Sequence, residues 1–551
     1  MPEQTPDTAK SGNKKQSFLQ GAAILTLSTL LVKVIGAIYK IPLNRIMGTE
    51  GFGHFNVAYS IYNVLLMLST TGLPIAVSRM ISQANTLGNT RQVQRIYKSS
   101  LRLFLTIGII CSGAMLIFSK QLAAWMEDPD AVYSIAALAP AVLFVCITCS
   151  FRGYFQGQQY MTPTAISEVI EAMGKPIIGL TAVVIVMHLG LGYAKAAGGA
   201  ILGVTVGTAV SATFLFLIYR RRRLRGSALS GEEKSTGSTI LELLKLAVPI
   251  TIGSTGLQLF NALDTKIILG RLQDAIGMTS QQASSMFGTY SAAQTFYMLP
   301  SALVAPLAIS IIPAVTSALT LKDWKKARSA EESAFRMVAL IALPCGAGLA
   351  VLSSPIQDLF YGYDAETLSI AGPILAILGA AVVFNCMVTV TNAVLQAHGH
   401  VNVPIVTTLA GGFVNIITDY VLIGMNAINI YGAAIATIAY CAVITILNII
   451  FLRHTVEQPP RIIRQFIKPL IATAVMSVSA YLVYEGVYNL LSSMGPTLSN
   501  LLAIGLSVCV AAAVYLLLVY DLKIITWEDC QLLPKSETIA RILDIQPVTE
   551  E

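Results

Sequence analysis

The chain has 551 residues, of which 55% are hydrophobic and only 12% charged, with a mean hydropathy of +0.69. Soluble domains carry about a quarter charged residues, so this balance points away from a soluble enzyme or binding module and places the chain in lipid. The formal net charge of +7 does not indicate a nucleic-acid partner, because the basic residues lie in short segments between apolar runs.

The sequence opens on a polar tail, residues 1–17, with Lys10, Lys14 and Lys15. The apolar run behind it continues past Ile46, longer than the apolar region of a signal peptide, and is expected to be retained. Runs of about twenty apolar residues, enough to cross a hydrocarbon core roughly 30 Å thick, recur almost to Tyr520. They predict an all-α integral membrane protein of about fourteen spans, beginning near Phe18, Phe52, Leu101, Ala131, Pro163, Ala196, Ile240, Ser285, Glu332, Leu368, Val401, Ile430, Ile463 and Leu498. With the N-terminus inside, cytoplasmic loops hold Arg91, Arg95 and Lys98, Arg220 to Arg223 with Arg225, Lys322, Lys325, Lys326 and Arg328, and Arg453, Arg461 and Arg464. The alternate loops hold mainly Arg45, Lys120, Lys195 and Arg271, beside Glu127, Asp128, Asp130, Asp358, Asp364 and Glu366. This asymmetry predicts that both termini face the cytoplasm.

In span one, Lys33 and Lys40 are seven residues apart, within roughly 20° of one helix face and about 10 Å apart along the axis. Asn44 continues the stripe. A lysine near the bilayer centre costs at least about 2.5 kcal/mol, so the pair is expected to line a wet cavity or meet anions. Snorkelling is the alternative, and it suits Lys40 and Arg45 better than Lys33. Asn56, Asn63 and Thr70 form a polar stripe in span two, as Asn385, Thr389, Asn392 and Gln396 do in span ten; cavity lining and hydrogen bonding between helices both fit. Glu168, Glu171 and Lys175 share a face of span five, where Glu171 and Lys175 at i,i+4 are expected to form an ion pair or serve the cavity. Asp264 and Lys266 in span seven point to different sides, so one of them serves the cavity. Asn415 and Asp419 in span eleven are oxygen-bearing residues at i,i+4, suited to a cation, a proton relay or a local bond.

An internal repeat links the halves. Phe52-Gly53-His54-Phe55-Asn56-Val57-Ala58 with Tyr62 returns as Phe287-Gly288-Thr289-Tyr290-Ser291-Ala292-Ala293 with Tyr297. Pro74 to Ser78 is echoed by Pro306 to Ser310, and Gly198 to Ile201 by Gly432 to Ile435. Six spans separate the copies, so the repeats run parallel about an axis along the membrane normal. The predicted organisation is an N-terminal tail (1–17), an N-lobe (18–220), a cytoplasmic linker (221–239), a C-lobe (240–453), a final helix pair (454–521) and a C-terminal tail (522–551). Transport sites lie between such lobes.

Most of the eight cysteines sit inside apolar segments without disulfide or zinc spacing; Cys146 and Cys149 lack the βαβ setting of a redox motif. No G-x-x-x-x-G-K-[ST] loop is present, which argues against primary nucleotide-driven transport by this chain. His398-Gly399-His400 has no Cys or acidic residue nearby in sequence and reads as loop polarity.

The run Arg152-Gly153-Tyr154-Phe155-Gln156-Gly157, then Met161-Thr162-Pro163-Thr164-Ala165 and Glu171, resembles the SpoVB/YtgP branch of the oligosaccharidyl-lipid flippases. Lys33-Val34-Ile35-Gly36 and Asn44-Arg45-Ile46-Met47-Gly48 resemble the first helix of MurJ-type lipid II flippases. The resemblance covers essentially the whole chain. It implies fourteen helices, two lobes rocking about a cationic cavity, a final helix pair, and transfer of an undecaprenyl-pyrophosphate-linked sugar to the outer leaflet with no covalent chemistry. It further implies a sodium site, onto which Asp264, Asn415, Asp419 and Thr437 map, so sodium or proton coupling is expected and no other cofactor. The chain departs from the pattern at Tyr39, in span two and at Ala293, where arginines are usual. Cavity charge must then come partly from elsewhere, with Lys33, Lys40, Arg79, Lys266 and Arg271 as candidates and Asn44 and Asn63 as polar contacts.

The expected function is a multi-pass flippase of the bacterial cell membrane, monomeric, acting on lipid II or a related wall precursor among membrane lipids, with wall-synthesis enzymes as partners. Alternatives are a flippase for a teichoic acid or exopolysaccharide unit, a cation-coupled multidrug exporter, or a non-transporting wall-synthesis scaffold.

Overall fold

The computed structural model describes residues 18–223, 231, 235–526 and 529. The tail 1–17, most of the predicted linker and the C-terminal tail apart from 522–526 and 529 lie outside the described residues, as does the Thr70 side chain. Among those described there is no strand. The first half comprises α1 (Phe18–Thr70), α2 (Gly72–Thr86), α3 (Thr90–Ile117), α4 (Ser119–Trp125), α5 (Val132–Gly157), α6 (Thr162–Gly174), α7 (Leu180–His188) and α8 (Tyr193–Arg223). The second comprises α9 (Thr236–Asp274), α10 (Ser280–Thr320), α11 (Trp324–Val351), α12 (Ser353–Tyr361), α13 (Ala365–Ala397), α14 (Val403–Ile423) and α15 (Tyr431–Thr455). Last come α16 (Ile462–Leu490) and α17 (Pro496–Asp521), which pack on each other and, through α16, on α11.

Twelve helical stretches among the described residues are long and apolar enough to cross a membrane. The first of them is broken at Gly48, whose φ of 68° and ψ of 179° leave the helical region, so α1 is two rods meeting at the predicted boundary between spans one and two. The two halves of the chain meet along α1 and α10, and α9 runs from α2 to α14 between them.

At Gly48 the halves touch backbone to backbone. A Cβ on Gly53 would lie 2.0 Å from the Ser284 carbonyl oxygen, and one on Gly288 would lie 1.8 Å from that of Thr49. The Thr49 and Ser285 hydroxyls are 2.6 Å apart beside this contact. Gly53 and Gly288 are equivalent positions of the repeat, as are Thr49 and Ser284, so the contact is symmetric. Around it lie Glu127, which reaches Lys266 of α9 at 3.5 Å, and Asp128, which is fully buried against His54 at 2.8 Å. This is the acidic end of the bundle. At the opposite, basic end Arg336 of α11 holds Asp529, beyond α17, through Nε at 2.7 Å and Nη2 at 2.9 Å, while Nη1 donates to Gln465 at 2.8 Å. Asp529 thereby fastens the chain after α17 onto the second half.

Candidate functional site

The motif from Arg152 to Gly157 is used in packing. Gly153 and Gly157, one turn apart on α5, present a small face to α2, where a Cβ on Gly157 would lie 2.7 Å from that of Ile81. Arg152 donates through Nη2 to Glu171 at 2.8 Å and through Nε to the Ser167 hydroxyl at 3.0 Å. Ser28 of α1 donates to Glu168 at 3.0 Å. Glu171 therefore pairs across helices with Arg152, which corrects the expected pair with Lys175. The helix carrying both residues changes character at Lys175: residues 175–179 form a π-helical turn around Pro176, whose missing N–H and bulky ring cannot continue an α-helical ladder. Lys175 lies 5.5 Å from the centre of the Tyr59 ring, in the space between the two halves.

That space is a cavity of about 510 Å³, with Lys33 and Lys40 of α1, Lys175, and Thr295, Asn385 and Thr389 of α10 and α13 in its wall. Among the described residues, none of the three lysines has a carboxylate oxygen within 4 Å. The predicted face of span one thus does turn two lysines into one cavity. Lys175 adds a third. Tyr39, at one of the positions where the resemblance lacks its arginines, donates its hydroxyl to the Ala200 carbonyl at 3.3 Å.

Several proposed substrate contacts lie elsewhere. Asn44 is buried and donates to the Tyr363 hydroxyl at 3.0 Å, tying α1 to the segment after α12. Lys266 is committed to Glu127 and the Trp125 ring, and Arg271 stacks 4.2 Å over Tyr420 while donating to that residue's carbonyl at 2.9 Å. Arg79 is exposed on α2 and Asn63 half-buried, neither in the cavity wall. In span ten, Asn385 donates to Ser301 at 2.6 Å at the cavity edge, whereas Asn392 accepts from Asn448 in a buried network. His398 is bonded at 2.6 Å to Glu331 of α11, an acidic partner 67 residues away that its sequence neighbourhood does not reveal.

A second cavity, of about 330 Å³, shares Met298 and Asn385 with the first and lies within the second half. Its wall carries Asp264 of α9, Asn415 of α14, Thr437 of α15, and Tyr290 and Gln294 of α10. The Asn415 amide donates to Asp264 at 2.5 Å and to Asp419 at 2.8 Å, so three of the four mapped residues share one hydrogen-bonded cluster. Thr437 lies in the same wall with its hydroxyl 2.9 Å from that of Tyr290, to which Gln294 donates at 2.8 Å. Asp419 is 1% exposed, and its Oδ1 is buried without a partner among the described residues. Two carboxylates around one amide, one with an unmet acceptor, form an all-oxygen donor set suited to a hard cation or a proton. Tyr290 and Gln294 escaped sequence reasoning, although Tyr290 stands inside the repeated block.

Comparison with known proteins agrees with this layout. The chain is 24% identical over 525 residues to the lipid II flippase MurJ of Bacillus subtilis (strain 168), covering 92% of this chain and 95% of that one. It is 26% identical over 439 residues to stage V sporulation protein B of the same organism, covering 79% and 83%. A solved structure of the lipid II flippase MurJ in an inward closed conformation superposes with a TM-score of 0.66 at 16% identity, over 91% of this chain and 99% of that one, which establishes the shared fold. The MatE family model matches residues 276–421. The apolar helices and these relatives make the chain a multi-pass protein of the bacterial cytoplasmic membrane. The polysaccharide biosynthesis protein model matches residues 18–319, more than half of the sequence, and the chain belongs to that family.

Proposed function

We propose that the chain is a flippase that carries a polyprenyl-pyrophosphate-linked saccharide, a wall precursor of the lipid II type, from the inner to the outer leaflet by alternating access, with no bond made or broken. The observation that carries this reading is the cavity between the two halves, where Lys33, Lys40 and Lys175 stand without carboxylate neighbours. Three ammonium groups in an apolar bundle, none with a carboxylate oxygen within 4 Å among the described residues, each cost at least about 2.5 kcal/mol, a cost that a diphosphate offsets by charge-assisted hydrogen bonds. A volume of about 510 Å³ suits the pyrophosphate and the adjoining sugar while the prenyl chain stays in lipid. Cationic drugs would be repelled by the same lysines, and a scaffold has no use for them. The basic loops orient the termini to the cytoplasm, so the acidic end faces outward.

Reconstituted protein is expected to move a fluorescent polyprenyl-pyrophosphate saccharide across proteoliposomes, and the gene to rescue a strain depleted of its lipid II flippase. Failure of folded protein to move any such lipid overturns the proposal; transport of a teichoic acid precursor alone reassigns its cargo.

The cluster of Asp264, Asn415 and Asp419 supports coupling to sodium or protons. Asp264, Asn415 and Asp419, with Thr437 beside them, would hold the ion, which supplies only charge neutralisation there. Asp264→Asn removes one of the two carboxylates and is expected to weaken binding of the ion. It would also abolish the response of transport to a sodium or pH gradient, measured in liposomes with imposed gradients. A variant that still follows the gradient as the wild type does removes Asp264 from coupling.

A further inference from the structure

At the basic end of the bundle lies a third cavity, of about 630 Å³, bounded by the start of α11, the start of α16 and the segment after α17. Arg328, Arg336, Arg461, Arg464, Lys468 and Lys523 line it, against a single lining carboxylate among the described residues, Glu332. The acids present are already engaged. Glu332 accepts from Arg328 Nε at 3.0 Å and from the Arg461 backbone N–H at 2.9 Å, and Asp529 is taken up by Arg336. Among the described residues, the side chains of Arg461, Arg464 and Lys523 have no acidic partner, and all three are exposed.

The position of these cations says what they meet. Arg461 immediately precedes α16, Arg464 is in its first turn, and Lys523 follows the last turn of α17, so the charges sit where membrane-crossing helices leave the hydrocarbon. Ile467 and Pro469 belong to the same wall, and Ile463, Leu470 and Ile471 continue from it along α16 as an exposed apolar face, 70%, 54% and 52% accessible. A ligand that fits must be anionic at one end and apolar beyond it.

We propose that this cavity is a binding site for the phosphodiester headgroup of an anionic phospholipid of the cytoplasmic leaflet. The phosphate would sit among Arg461, Arg464 and Lys523, with the acyl chains laid along the apolar face of α16. The site is separate from the transport cavity, and its occupancy tethers the final helix pair to α11 at the membrane surface.

The test uses the full-length protein in nanodiscs of phosphatidylcholine containing a few per cent phosphatidylglycerol, with native mass spectrometry of the lipid retained after extraction. Arg461→Gln/Arg464→Gln/Lys523→Gln is compared with Lys322→Gln/Lys325→Gln/Lys326→Gln, which removes the same charge from exposed positions at the same end. Each charge-assisted hydrogen bond to the phosphate contributes about tenfold, so the first triple variant, which loses three of them, is expected to lose on the order of a thousandfold in phosphatidylglycerol retention, and the second, which loses only diffuse attraction, far less. Equal loss in both variants means diffuse charge attraction and overturns the site. Millimolar inorganic phosphate that displaces the lipid completely reassigns the cavity to free phosphate. Selective displacement by equimolar undecaprenyl pyrophosphate reassigns it to the transported lipid, and either result overturns the phospholipid proposal. Because the substituted side chains are exposed, both variants are expected to fold, and their melting temperatures check this.

Discussion

Replacing Lys40 and Lys175 together by glutamine is expected to reduce saccharide-lipid translocation to background in proteoliposomes. The two residues come from different elements, α1 and the π-helical turn after α6, and are brought to one cavity without carboxylate neighbours. A hydrogen bond to a charged group is worth about 1.5–3 kcal/mol, so losing two such contacts to a diphosphate removes about 3–6 kcal/mol, or between a hundredfold and ten-thousandfold in binding. Each single variant should lose roughly the square root of that. Stability separates function from structure here: the lysines repel one another and are costly to desolvate, which offsets the loss of the Lys175 contact with the Tyr59 ring, so the double variant should melt close to the wild type. A double variant that transports normally would remove these lysines from the substrate path, while a large fall in melting temperature would recast them as structural.

The second large effect is expected at the symmetric contact of the acidic end. Alanine at Gly53 and Gly288 places each new Cβ about 2 Å from a carbonyl oxygen of the opposite half, far inside any real contact. Overpacking of this kind costs typically 1–3 kcal/mol per site, so the pair should shift the closed arrangement by about 3 kcal/mol, roughly a hundredfold. Oxidative cross-linking of Thr49→Cys with Ser285→Cys, whose parent hydroxyls are 2.6 Å apart, reads the closed state directly. Cross-linking and transport should fall together in the alanine background. Undiminished cross-linking would mean that the halves part elsewhere.

What the sequence disclosed depended on whether the relevant partner was local. The helical, membrane-spanning character was legible because apolar length is a property of consecutive residues, and so was the repeat, whose Phe-Gly block falls on the contact between the halves. Lys33 and Lys40 could be placed together because one helix carries both. Glu171 was misassigned for the complementary reason: the nearest opposite charge on its own helix was Lys175, but the structure supplies Arg152 from α5, and the π turn at Pro176 sends Lys175 toward Tyr59. Lys266 and Arg271 likewise read as free cations until Glu127 and Tyr420 approach them from distant segments. Asp264 is 151 residues from Asn415, and only the resemblance joined them before the structure placed them 2.5 Å apart.

The reciprocal meeting of Gly53 with Ser284 and of Gly288 with Thr49 has the form of a homodimer interface, in which one patch binds its own copy across a two-fold axis. Here the two copies are fused into one polypeptide, so their association is an intramolecular equilibrium set by the tether rather than by protein concentration. The two contacts are reciprocal, Gly53 meeting Ser284 and Gly288 meeting Thr49. Parting of the halves at this contact is then the dissociation of a tethered dimer.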